Sequence, residues 1–137
     1  MVKRYYGARI VDSWPVDATV EATGFEDGVI LQLGTDGEAE LATDGQSVVV
    51  GLALDATTET SATRGVGGIL DGKVDVILDD TVVDTDQIAS GVTISINEKL
   101  YVAAGKLTNV AGSGIAVGMA LADQADGVLH WLFRPEY

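Results

Sequence analysis

Residues Lys99–Asp123, KLYVAAGKLTNVAGSGIAVGMALAD, hold the pattern that decides the fold. Leu100–Ala103 is a short apolar run of β-prone residues, broken by Gly105-Lys106. Leu107 and Val110 resume it, and Gly112-Ser113-Gly114 break it again. Ile115–Leu121 then closes the unit as a small-residue strand carrying Gly118. The stretch reads as three short strands separated by two glycine turns.

An earlier segment follows the same grammar. Asp36-Gly37 and the strand Val48–Leu54 align with Ala104-Gly105 and Ile115–Leu121. The two glycines lie 14 positions apart in the first copy (Gly37, Gly51) and 13 in the second (Gly105, Gly118), and an apolar-Ala-Leu run follows each second glycine. A strand precedes each copy, Val29–Leu33 in one and Leu100–Ala103 in the other. Two copies are too few for a solenoid and suit one assembly of two similar halves. Glycine inside a strand weakens it, so Gly51 and Gly118 mark a bulge, a bend or close backbone packing.

Outward from these units, turn signals recur. Asp-Gly stands at 27–28, 36–37, 44–45, 71–72 and 126–127, and each pair favours the left-handed backbone of a tight turn. Between the turns, strands are expected over Val29–Leu33, Glu38–Ala42, Ser47–Leu54, Ile69-Leu70, Lys73–Leu78, Val92–Ile96 and Val128–Phe133. Thr57–Thr63 reads as a polar loop or exposed strand, and Asp79–Gln87 as an acidic excursion. Only Thr85–Ser90 has any helical character. The fold class is therefore all-β, a small barrel or sandwich of short antiparallel strands with an approximate internal repeat. An extended N-terminal arm and connection (1–24) leads into the β domain (25–137).

Composition sets further bounds. At 137 residues and 47% hydrophobic content the chain can bury its own core. No apolar run reaches the roughly 18 residues of a spanning helix, and Met1–Trp14 lacks the continuous apolar segment of a signal peptide. A product that stays in the cytoplasm, or in a particle assembled there, is expected. The absence of cysteine excludes disulfides, thiolate catalysis and Cys-ligated metals. A net charge of −13 disfavours nucleic acid and anionic membranes as partners. It suits solubility, a basic partner or bound cations.

Constellations that could carry chemistry are sparse. Asp79, Asp80, Asp84 and Asp86 offer oxygen ligands for a hard cation, but without the glycine and terminal Glu of an EF-hand they read as a solvated loop. His130 has no recognisable nucleophile and reads as a strand residue. Glu38 and Glu40 would share one strand face, where paired carboxylates serve solubility on an edge more readily than glycoside hydrolysis. Arg64–Gly68 (RGVGG) lacks the Lys-Ser/Thr ending of a phosphate loop. Trp14 and Trp131 suit core or interface positions better than sugar stacking. No enzyme activity, catalytic residue, metal or cofactor is expected.

The N-terminal segment is basic and aromatic, with Lys3, Arg4, Tyr5, Tyr6, Arg9 and Trp14. Two readings stay open for it: an edge strand over the core, or an arm docking on a neighbour, since Tyr, Trp and Arg dominate interface energetics.

Taken together, the VxVGxAL strand Val48–Leu54, the stretch 99–122 and the terminal Phe133-Arg134-Pro135 resemble the head decoration, or cement, proteins of tailed phages. The likeness covers roughly Val29 to Pro135. Its most specific parts are Tyr101-Val102, Gly105–Thr108 and Val117–Leu121. It implies a non-enzymatic virion protein, made in the host cytoplasm, that binds the outer surface of an icosahedral capsid. By the same resemblance it forms homotrimers and bridges major capsid protein subunits, stabilising the shell against packaged DNA. Candidate interface residues are Arg4, Tyr5, Tyr6, Arg9 and Trp14 at one terminus, and Trp131, Phe133, Arg134 and Tyr137 at the other. Some members are shorter or carry extra binding domains, and the N-terminal arm matches no motif of the family. The alternative is a carbohydrate-binding β domain of a phage fibre or bacterial surface protein.

Overall fold

The computed structural model describes residues 2–4, 10–16, 28–43, 48–53, 69–70, 73–77 and 81–136. Among them are twelve strands and no helix. They are β1 (Val2–Arg4), β2 (Ile10–Pro15), β3 (Ile30–Leu33), β4 (Ala39–Leu41), β5 (Val49–Ala53) and β6 (Ile69–Leu70). The rest are β7 (Lys73–Ile77), β8 (Thr81–Thr85), β9 (Lys99–Ala103), β10 (Lys106–Thr108), β11 (Gly118–Ala120) and β12 (Leu129–Phe133). Sheet I has the order β1-β8-β12-β11-β9-β10; sheet II runs β2-β7-β5-β3-β4, with β6 also on β7. Neighbouring strands pair antiparallel, and the two sheets form a sandwich, not a closed barrel.

The sequence repeat is a repeat of topology. β3 is flanked by β4 and β5, and β9 by β10 and β11, all antiparallel. Gly51 pairs with Leu31 and Gly118 with Leu100, in each case the second residue of the central strand. The two glycines meet different demands there. At Gly51 the register shifts against β3, which is a bulge. At Gly118 a Cβ would stand 2.0 Å from the Leu132 carbonyl oxygen and 2.9 Å from the Trp131 ring. Only a residue without a side chain lets β11 lie this close to β12.

Turn chemistry fixes the hairpins. Ala104 (φ 49°) and Gly105 (φ 79°) join β9 to β10 with Ala103 opposite Lys106, a two-residue turn with both central residues left-handed. Asp126 (φ 53°) and Gly127 (φ 73°) do the same between Ala125 and Val128. The Asp-Gly pairs at 44–45 and 71–72, the 57–63 loop and Arg64–Gly68 lie outside the described residues.

Between the sheets sits the main core. Ile30, Ala42, Val49 and Leu52 from sheet II and its flank meet Val83, Leu100, Val102, Leu107, Ala120, Leu129, Trp131 and Phe133 from sheet I. Trp131 is fully buried and packs edge-to-face on Phe133, with ring centroids 5.7 Å apart. Its indole N–H has no hydrogen-bond partner among the described residues. Leaving such a donor dry costs about 1–3 kcal/mol, whereas burying the ring gains about 4–6 kcal/mol; apolar packing wins. A second cluster, including Val29, Leu31, Ala39, Val50, Ala53 and Val76, occupies the other face of sheet II, so every residue of β5 is buried.

Three expectations are corrected. Thr81–Thr85 is not an acidic excursion but strand β8, between β1 and β12, with Thr81, Val83 and Thr85 buried on alternate positions. Val92–Ile96 is not a strand, because side-chain oxygens take its backbone N–H groups: Ile94 donates to Gln124 Oε1, Ser95 to Glu98 Oε2 and Ile96 to Asp123 Oδ1. The N-terminal segment is not a separate arm at the residues described. β1 pairs with β8 and β2 with β7, so the boundary at residue 24 does not divide these strands from the body of the fold.

The two turns and the close approach predict opposite effects. Gly118→Ala should destabilise by about 3 kcal/mol or more, since the clash is with backbone. Ala104→Asn should stabilise by about 0.5–1 kcal/mol, because Asn tolerates the left-handed turn. Urea unfolding of the two variants measures both.

Candidate interaction surfaces

Alternation along β12 decides where its side chains go. Leu129, Trp131 and Phe133 face the core, and His130 and Leu132 face out. Trp131 and Phe133 are therefore not exposed anchors, which corrects their assignment as interface residues. Arg134 is exposed, and its backbone N–H donates to the Val117 carbonyl (2.9 Å). Trp14, on β2 opposite Val74, is half-buried against the second cluster. Arg4 lies opposite Val83 at the edge of sheet I. Tyr5, Tyr6, Arg9 and Tyr137 lie outside the described residues, as do Asp79 and Asp80. Of the expected interface residues that are described, Trp14 lies on sheet II, and Arg4, Trp131, Phe133 and Arg134 lie on or beside sheet I.

His130 stands opposite Asp84 on the outer face of sheet I, its Nδ1 2.8 Å from Asp84 Oδ1. This is a cross-strand polar pair, which holds the register of β8 against β12. Glu40, on the edge strand β4, accepts a hydrogen bond from Gln32 Nε2 at 2.7 Å. Asp86 is exposed and accepts from Gln87 Nε2 (3.1 Å). No group of three or more His, Asp or Glu side chains that could hold a metal occurs among the described residues.

Several carboxylates serve the backbone. Glu98 Oε2 accepts from the Ser95 N–H (2.7 Å) and from Asn109 Nδ2 (3.0 Å), while the same Asn109 amide donates to the Thr93 carbonyl. These bonds tie the 93–98 loop to the end of β10. The Ser95 N–H foremost, then Asn109, holds the Glu98 carboxyl below its ordinary 4.5. Asp36 is likewise lowered, mainly by the Glu38 N–H that closes its turn. Neither group is buried, and the effect on stability is modest.

Exposed apolar side chains fall into three neighbourhoods. Leu33, Leu41 and Val48 lie on β3, β4 and the entry to β5, at the open end of the second cluster. Ile96, Val110 and Leu121 project from loops at the end of sheet I. The third lies along the outer face of sheet I, where Met119 is exposed beside half-buried Val82 and Leu132. Sequence reasoning missed this last group. For Met119 and Leu132 the signal was the alternate positions of strands the sequence did suggest, whereas Val82 lay in the stretch read as an acidic excursion.

No protein-family model matches the chain, and no curated protein matches it.

A group whose carboxyl is lowered in the folded state stabilises above its ordinary pKa, and that contribution is lost as pH falls through the lowered value. Glu98→Gln should therefore flatten the acid limb of the stability curve below about pH 4.5, leaving neutral-pH folding intact. Denaturant midpoints between pH 3 and pH 7 check this; an unchanged acid limb would count against the Glu98 bonds.

Proposed function

We propose that the chain is a structural decoration protein that binds the outside of an icosahedral phage capsid, bridging major capsid protein subunits as a homotrimer. The observation that carries this reading is the doubled unit β4-β3-β5 and β10-β9-β11. Its sequence counterpart, with Gly51 and Gly118 at equivalent places, is the feature through which the chain resembles the decoration proteins. The supporting chemistry is that of a scaffold. Asp36, Glu98 and Asp123 spend oxygens on backbone N–H groups, and His130 pairs across strands with Asp84. A net charge of −13 suits an outer surface bathed in solvent and opposes contact with packaged DNA.

In this reading the protein works by adhesion and has no substrate or cofactor. Two sheets clamped over one core make a rigid block, and rigid blocks lose little conformational entropy on binding. The alternative, a carbohydrate-binding domain, gains nothing from the tryptophans. Trp131 is inaccessible, and Trp14 is half-buried against the second cluster.

Light scattering with a rebinding assay tests the proposal. The purified chain should be trimeric, should rebind capsids stripped of it and should leave a glycan array unlabelled. A stable monomer that ignores capsids and binds a polysaccharide would overturn it.

A further inference from the structure

In an Asp-Gly pair a side-chain carboxyl stands beside a main-chain nitrogen that no Cβ shields. The two can close a succinimide ring. The Gly nitrogen attacks Asp Cγ, and the nitrogen's proton and the carboxyl hydroxyl leave together as water. Water then reopens the ring at either carbonyl. One opening restores aspartate; the other routes the main chain through the side-chain carbonyl and leaves an isoaspartate of unchanged mass. Water is the only co-reactant.

Of the five Asp-Gly pairs, those at 36–37 and 126–127 lie wholly among the described residues. In exposure and in room they are alike. All four residues are exposed, both glycines are left-handed, at φ 85° and 73°, and a Cβ on either would meet nothing within 4 Å. Their reacting atoms are held differently. Asp36 Oδ1 accepts the Glu38 N–H at 3.1 Å, closing an Asx turn, and the Gly37 N–H donates to the Gly34 carbonyl at 3.1 Å. Electrophile and nucleophile are both engaged there. The Glu38 N–H also holds the Asp36 carboxyl below its ordinary value, and only a neutral carboxyl gives up its hydroxyl as water. At the other turn, the closing bonds run between Ala125 and Val128, at 3.0 and 2.9 Å, and leave the two central residues out. Neither the Asp126 carboxylate nor the Gly127 N–H has a hydrogen-bond partner among the described residues.

We propose that Asp126-Gly127 is a site of spontaneous covalent modification, where aspartate converts to isoaspartate through a succinimide, and that the turn at Asp36-Gly37 protects its own pair. The inference holds whatever the chain binds. Its product is felt beyond the turn. An isoaspartyl link adds a carbon to a two-residue turn whose geometry rests on two left-handed residues. The Ala125–Val128 pairing then loses its match at the entrance to β12, the strand that carries Trp131 into the core.

Peptide mapping of the folded wild-type protein, held for weeks in mildly acidic buffer made with heavy-oxygen water, tests this with both pairs in one molecule. Each ring opening leaves a heavy oxygen behind, and isoaspartyl peptides separate from aspartyl ones by chromatography. Isoaspartate should build up at 126 about fivefold or more faster than at 36, where two hydrogen bonds must open first. A parallel sample in concentrated urea removes both turns, and there the two positions should react at similar rates. Absence of isoaspartate at 126 in the folded protein overturns the proposal, as does comparable build-up at the two positions. A preference for 126 that survives urea unchanged assigns the difference to sequence and also overturns it.

Discussion

Gly105 fastens the two sheets to each other. Its N–H donates to the Ala42 carbonyl and its carbonyl accepts from the Ile30 N–H, both at 2.8 Å, while the Ala42 N–H donates to the Ile30 carbonyl. The turn that closes β9 and β10 in sheet I therefore completes the hydrogen bonding of β3 and the end of β4 in sheet II. Two conditions favour glycine at the position. The backbone is left-handed there, and a Cβ would lie 2.7 Å from Leu41 Cδ2. Satisfying buried backbone groups in this way costs nothing in side-chain entropy, and it sets how the two faces meet over the core.

From that clasp the rest follows by alternation. Once β9 is fixed over β3, Leu100 and Val102 must point at Ile30 and Leu52, and the neighbouring strands inherit their registers. Trp131 is pulled inward by the same parity, close enough to Gly118 that no larger residue fits there. The opposite parity of sheet I is then committed to the outside. What function the molecule has must be carried by that outer parity, by the loops and by the chain ends, because the inner one is spent on packing.

Much of this was legible in the chain. Glycine turns bounded by β-prone runs gave the all-β class, and the paired spacing of Gly37–Gly51 and Gly105–Gly118 marked two equivalent units. Other features were hidden for definite reasons. β8 carries Asp84 and is followed by Asp86, so its polarity masked the inward run Thr81, Val83, Thr85; the strands that cover it are remote in sequence. Val92–Ile96 has strand composition, but Asp123 and Gln124, nearly thirty residues away, capture its N–H groups. Trp131 and Phe133 could not be told from surface aromatics, since Leu129–Phe133 has apolar residues on both parities, with Leu132 on the other side. The candidate interface suffered most, because an outer face is recognised only after the inner one is known.

In the proposed function the chain sits outside the capsid shell and bridges its subunits. A cryo-electron microscopy reconstruction of the assembled particle, resolved well enough to trace strands, tests that most directly. It should show the sandwich outside the shell, in contact with neighbouring capsid subunits. Density for the chain inside the shell, within a fibre, or nowhere on the particle would contradict it.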